Sequence, residues 1–248
     1  MIVSHNQRFI FIHCRKVAGS SIKVSLAPCL GPDDIMIGSW HEALRSNTRL
    51  NKQARRTLLH PLAMKTWLTH RLAGNDSASA INEAIKTRYV HRGFANPPHA
   101  SAAEIKRHFP DEWKRYFKFC IIRNPYDRLV SEYLWRTKNT NIKVSFRDYL
   151  KCLRGERFYP NLLAEGETHT WNMYTINNRV EVDYIGKYEN MKSDLRKITE
   201  HLNLPRLTLS HVKETGRDRS YREYYGYKER EIADSLVANE CVAHGYEF

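Results

Sequence analysis

The 248-residue sequence contains no run approaching the ~18 consecutive apolar residues of a membrane-spanning helix. Its start, Met1 to Arg8, lacks the apolar stretch of a secretory leader, so the chain is expected to remain in the compartment where it is made. Cysteine is sparse. Cys14, Cys29, Cys120, Cys152 and Cys241 are odd in number and widely separated, with no C-x-x-C pair, which argues against a zinc ribbon, a redox motif or a disulfide scaffold. Cys14 and Cys120 sit in apolar runs, where a thiol behaves as a small hydrophobe, and a reducing cytoplasm is the expected setting. No internal repeat and no low-complexity tract is present. Acids are in deficit: 27 Asp plus Glu stand against 40 Lys plus Arg, leaving +13 at neutral pH. Such an excess asks for an anionic partner. With 42% hydrophobic and 11% aromatic residues the chain has material for a sizeable core, which excludes intrinsic disorder.

The first apolar run, Arg8 to Cys14, is short, β-branched and aromatic, as a strand buried on both faces of a parallel sheet should be. It stops at Arg15-Lys16-Val17-Ala18-Gly19-Ser20-Ser21, after which Ile22, Ser25 and Leu26 recur at helical spacing, with Ser20 or Ser21 available as a cap. A second unit repeats this pattern. Tyr116 to Ile122 reads as a strand, Arg123-Asn124-Pro125-Tyr126-Asp127 as its turn, and Pro125 as the first residue of a helix whose apolar face pairs Leu129 with Tyr133 and Val130 with Leu134. A third strand is expected over Val180 to Gly186, followed by a helix from Met191 to Leu202. Strands alternating with helices predict an α/β fold with a central parallel sheet flanked by helices.

Between the first two units lies a segment, residues 41–98, with helical periodicity and ten basic residues against three acids, an excess of seven. It is expected to be a helical insertion, at about 41–98, within a single domain spanning 1–248, packed onto the sheet.

The loop at Lys16 to Ser21 joins a buried strand to a helix through small residues, a place where backbone N–H groups converge on an anion. The nucleotide-binding P-loop places its lysine after the glycines; here it comes before them. Taken alone, the segment is equally ordinary turn chemistry.

Together with Arg123 to Tyr133, however, this loop resembles the two cofactor motifs of sulfotransferases, enzymes that take the sulfuryl group from 3′-phosphoadenosine-5′-phosphosulfate, PAPS. The likeness is to the carbohydrate branch that includes heparan sulfate 2-O and chondroitin enzymes and bacterial relatives. Asp183-Tyr184-Ile185-Gly186-Lys187-Tyr188-Glu189-Asn190-Met191 and the closing His244-Gly245-Tyr246-Glu247-Phe248 are similar to further landmarks of that family. The resemblance implies a P-loop-like three-layer fold. It implies that Lys16 contacts the bridging oxygen of the donor, that Val17, Ala18, Gly19, Ser20 and Ser21 hold the 5′-phosphosulfate, and that Arg123 and Ser131 grip the 3′-phosphate. His99, in Pro97-Pro98-His99, matches the position of the family's base, with His91 and then His169 as alternatives; Glu104, Glu167 and Glu189 are less favoured, Glu189 being expected to make a structural bond. Lys213 and Arg219 would add phosphate contacts, or else belong to a solvated loop. The family usually has proline before the lysine and two glycines after it; this chain has Arg15, and Ala18 with Gly19. Alanine is strained there if φ is positive.

No metal is expected, because a sulfuryl group carries less negative charge than a phosphoryl group and no carboxylate cluster suggests magnesium. The implied partner is a carbohydrate, acidic by preference, with no nucleic acid and no integral membrane segment; the basic insertion at about 41–98, where the family pattern is least fixed, is expected to contribute to acceptor binding. Three other readings remain: a catalytically silent glycan-binding relative, a basic nucleic-acid-binding protein, and a P-loop kinase, whose lysine would stand on the wrong side of the glycines.

Overall fold

The computed structural model of the chain describes residues 1–140, 142–160, 162–163, 170–209 and 219–248. In chain order the elements begin with β1 (Ile2–Ser4), β2 (Phe9–Ile12), α1 (Gly19–Leu26) and β3 (Ile35–Met36). The insertion supplies α2 (Trp40–Arg45), α3 (Lys52–Leu58), α4 (Pro61–Leu72) and α5 (Ser77–His91). Then come α6 (Ala102–His108), α7 (Pro110–Arg115), β4 (Phe117–Ile122), α8 (Pro125–Thr140), α9 (Phe146–Leu153), α10 (Thr170–Tyr174), β5 (Thr175–Ile176), β6 (Arg179–Val180), β7 (Tyr184–Lys187), α11 (Met191–His201) and α12 (Tyr227–His244).

Five strands form the main sheet in the order β3-β1-β2-β4-β7. β2, β4 and β7 are parallel, with Phe11 opposite Phe119 and Cys120 opposite Ile185. The expected parallel sheet is thus the β2-β4-β7 half; β1 adjoins β2 antiparallel and is itself flanked, again antiparallel, by the edge strand β3. The reason is connection length: the few residues between Ser4 and Phe9 can close only a hairpin, since a parallel return needs a crossover of a dozen or more. The buried carboxylate of Asp34 holds that hairpin, accepting Ser4 Oγ at 2.6 Å, the N–H of His5 at 2.7 Å and the N–H of Asn6 at 3.0 Å. Every residue of β1 and β2 is buried, so both faces of the sheet are covered.

The strand expected over Val180 to Gly186 is two strands. Arg179–Val180 pairs with Thr175–Ile176 in a separate ribbon, turned by Asn177 and Asn178 at φ 51° and 60°, and only Tyr184–Lys187 enters the main sheet. Two adjacent asparagines in left-handed conformation make the tight hairpin turn that ends the first segment. Gly186 is needed inside β7, because a Cβ there would lie 2.5 Å from the Cδ1 of Ile121.

Two apolar clusters result. One surrounds the main sheet and takes in Ile85 and Tyr89 of α5 and Phe94, so the insertion shares the sheet's core. The other joins α8, α9 and α12 through Leu129, Val130, Tyr149, Leu150, Ile232 and Val237; Tyr133 and Leu134 pack against it, as their spacing predicts. Among the described residues, no helix is long and apolar enough to cross a membrane.

Candidate active site

The chain leaves β2 through His13 and Cys14 and enters α1 at Gly19. In between, Lys16 and Ala18 both adopt left-handed conformation, at φ 59° and 57°. A non-glycine residue there costs about 1–2 kcal/mol, strain of the kind that gathers at binding sites. Ala18, not Ser20 or Ser21, is the N-cap, and no side chain caps the helix. Both serines lie in the first turn instead, where N–H groups have no carbonyl of their own helix to pair with and point outward.

Behind this loop stand two histidines. The rings of His13 and His99 lie 4.3 Å apart, and the Nδ1 of His99 is 2.9 Å from the carbonyl oxygen of His13. A carbonyl only accepts, so Nδ1 carries the proton of the neutral imidazole and Nε2 is left as the basic nitrogen. Burial holds both rings well below the ordinary imidazole pKa; the next cause is the Lys23 charge for His13 and the Arg15 charge for His99. Lys23 is itself fully buried, donates to the Ile37 carbonyl at 3.0 Å, and is pulled by burial to about 7. Gly19 permits the arrangement: a Cβ on it would fall 1.9 Å from the Cδ2 of His13. Two residues beyond His99, the chain enters α6 through a capping box in which Glu104 accepts the Ser101 N–H at 3.0 Å.

Across the cleft, Arg123 leaves β4, donates to Asp127 at 2.8 Å and to the Lys16 carbonyl at 3.2 Å, and stacks 4.4 Å from the ring centre of Tyr188. The loop behind it is tied down by Glu189, which accepts the Asn124 N–H at 2.7 Å and the Tyr246 hydroxyl at 3.0 Å, the structural bond expected of it. Farther along α8, Ser131 is buried and its Oγ has no hydrogen-bond partner among the described residues. Lys16 Nζ lies 5.4 Å from the ring centre of Trp135. Glu132 is buried among Arg136 at 2.9 Å, Arg128 at 3.8 Å and Arg15 at 3.8 Å. Burial opposes its charge, but the arginines prevail and hold its carboxyl below the ordinary range. Glu132, the one carboxylate among the described residues that line the cleft, is thus outweighed by the three arginines around it, and with Lys16 and Arg123 the cleft keeps a net positive charge.

Lys16, Val17, Ala18, Gly19, Ser20, Ser21, His99, Arg123 and Ser131 all line this one open cleft of about 250 Å³. Arg219 is exposed and stands apart from that lining. Lys213, His169 and Glu167 fall outside the described residues. His91 is exposed at the end of α5, and Glu104 is occupied as a helix cap. Sequence reasoning passed over His13, Glu132, Trp135 and Tyr188, which also line the cleft. Trp135 was within reach, since it lies one helical turn beyond Ser131. His13 sits inside an apolar run, where a core histidine is the ordinary reading.

The donor set suits a polyanion: three cations, helix-start N–H groups, and a buried hydroxyl awaiting an acceptor. Among the described residues no group of three or more His, Cys, Asp and Glu is placed to hold a metal ion.

Residues 1–239 match the sequence profile of the Sulfotransferase family. Over 91 residues the chain is 34% identical to an uncharacterized protein of Archaeoglobus fulgidus, covering 36% of this chain and 70% of that one. Among solved structures it is similar to a sulfotransferase from Alicyclobacillus acidocaldarius, with 14% identity and a TM-score of 0.42 over 97% of this chain and 96% of that one, a loose likeness on which nothing further rests. The profile match runs through every segment that lines the cleft, and the chain belongs to the sulfotransferase family.

Proposed function

We propose that this sulfotransferase takes its sulfuryl group from PAPS and passes it to a hydroxyl of a carbohydrate. The observation that carries the reading is the meeting of the Lys16–Ser21 loop, Arg123, Ser131 and His99 in one positive cleft. Bound there, the donor supplies the sulfuryl group and leaves as 3′-phosphoadenosine 5′-phosphate. Arg123, braced by Asp127 and Tyr188, and Ser131, with its unused Oγ, hold the 3′-phosphate, the group that separates this donor from ATP. The N–H groups and hydroxyls from Val17 to Ser21 hold the 5′ end. Lys16 stabilises the charge that develops on the departing phosphate oxygen.

His99 accepts the acceptor's proton at Nε2 as the new S–O bond forms. Its depressed pKa keeps that nitrogen unprotonated at neutral pH. The net +13 of the chain favours an acidic or already sulfated glycan through long-range attraction. A reducing, cytoplasmic setting belongs to the proposal and is supported by the five free thiols.

Incubation with radiolabelled PAPS and a panel of glycans tests the reading. Lys16→Ala and His99→Ala are each expected to lower transfer about 100-fold or more, the range of a lost general base or charge stabiliser. Failure to bind 3′-phosphoadenosine 5′-phosphate would refute it. Neutral glycans outcompeting acidic ones would remove the acidic preference alone.

A further inference from the structure

α4 carries apolar residues on its outward face as well as on the face it turns to the protein. Inward it packs the buried Ala63, with Leu62, Thr66, Trp67 and His70 half-buried beside it. Toward solvent it presents Met64, Leu68 and Leu72, at i, i+4 and i+8, which align along one stripe. Leu72 is 80% exposed, Met64 54% and Leu68 52%; Leu59, at the α3–α4 corner, is 73% exposed. Trp67 and Ile81 line a shallow groove beside the stripe, together with Leu58, Met64 and Leu68. An isolated exposed leucine needs no explanation, but a continuous stripe on a two-helix projection does.

The charge around the stripe says what it faces. Residues 43–75 contain seven Lys or Arg and no Asp or Glu. Lys65 and Arg71 are exposed and, by helical spacing, flank the stripe on opposite sides. Lys52 and Arg55 are exposed on the adjoining α3. The nearest acids are engaged: Asp76 with Arg45 at 2.8 Å, and Asp33 with Arg56 at 3.1 Å. None of the basic residues from 43 to 75 lines the cleft, and with Arg45 and Arg56 paired to Asp76 and Asp33 the segment keeps an excess of positive charge that the donor does not use. An apolar stripe flanked by Lys65 and Arg71 is complementary to an acyl-chain boundary beneath negative headgroups.

We propose that the α3–α4 projection docks on an anionic lipid bilayer, with Met64, Leu68 and Leu72 entering the headgroup region and Lys65 and Arg71 meeting lipid phosphates. This is attachment to the surface, since α4 is only 12 residues long and cannot span. It is independent of the transfer reaction proposed above.

Co-sedimentation of the full chain with phosphatidylglycerol vesicles, against phosphatidylcholine vesicles, tests the proposal. Binding is expected to the anionic vesicles and to weaken with salt. Leu68→Ser with Leu72→Ser should reduce partitioning about tenfold or more, and each of Lys65→Glu and Arg71→Glu about fivefold. All four positions are exposed, so unchanged far-UV circular dichroism is expected and reports intact folding; the thermal midpoint should hold except in Arg71→Glu, which loses a bond to the Asn75 carbonyl at 2.7 Å. No sedimentation with either vesicle overturns the proposal, as does equal, salt-insensitive sedimentation with both. A dimer that the double serine variant converts to monomer, with vesicle binding unchanged, would assign the stripe to a second copy of the chain instead. Loss of sulfated-polysaccharide binding in Lys65→Glu/Arg71→Glu, with vesicle binding intact, would assign the cations to a glycan.

Discussion

Gly19→Ala sets two effects of known sign against each other. In a helix, alanine is favoured over glycine by about 1 kcal/mol, so propensity alone predicts stabilisation. Packing predicts the reverse, because the added methyl would lie 1.9 Å from Cδ2, 2.1 Å from Nε2 and 2.9 Å from Cγ of His13. That ring has little room to yield. It is buried, parallel to Phe11 at 6.1 Å and against His99 at 4.3 Å. Overpacking of this kind costs about 1–3 kcal/mol, and the net expectation is a loss of up to about 2 kcal/mol. For a chain of this size each kcal/mol lowers the thermal midpoint by roughly 2–4 °C. The displaced ring also moves the carbonyl environment of His99, so kcat should fall further than stability alone explains. Urea denaturation of Gly19→Ala, His13→Ala and the double variant measures the coupling. In the His13→Ala background the clash is gone, and Gly19→Ala should become neutral or stabilising. An equal effect in both backgrounds, or a more stable single variant, would show that His13 does not press on the loop.

Ala18→Gly should stabilise the protein by about 0.5–1 kcal/mol, because relief at φ 57° exceeds the added freedom of the unfolded chain; denaturant midpoints decide it. Ser131→Ala removes a buried hydroxyl that has no partner among the described residues, so stability should change by less than about 0.5 kcal/mol. Affinity for 3′-phosphoadenosine 5′-phosphate, measured by calorimetry, should drop about tenfold or more in the same variant, the worth of a hydrogen bond to a charged group. Because His99 is held below the ordinary 6.5, its neutral form persists to lower pH, and the acidic limb of kcat/KM should fall below pH 6.5. The folded protein likewise binds fewer protons at His13 and His99 than the unfolded chain does. Their contribution is complete above pH 6.5 and is lost as pH falls toward the depressed folded values, which thermal midpoints between pH 7.5 and 5 would record.

The strand-loop-helix units at Arg8–Leu26 and Tyr116–Leu134 were legible because each signal is local. A β-branched run reads as a buried strand, and Pro125 and the i, i+4 apolar pairs read as a helix start and its face. The motifs at Lys16–Ser21 and Arg123–Ser131 identified the family chemistry, and His99 was found by its place before the second strand. Pairing across distance was not legible. Nothing in Ile2–Ser4 announces that it returns antiparallel along β2 under the hold of Asp34, or that Val180 belongs to a different ribbon from Ile185. The sign of φ at Ala18 was open, and tertiary packing set it to the strained side. His13 reads as one more core residue until the loop folds back and places Gly19 against its ring. The basic insertion, read as an acceptor surface from its charge and its place where the family pattern is least fixed, has none of its ten cations among the residues that line the cleft. Sequence by itself determined the two strand-loop-helix units, the family motifs and the sign of the charge, because these depend on residue type and spacing along the chain. Tertiary structure alone decided which imidazole nitrogen is basic, that Arg15 joins the two helical arginines around Glu132 and which way the cations face, because those depend on groups far apart in sequence meeting within a few ångströms.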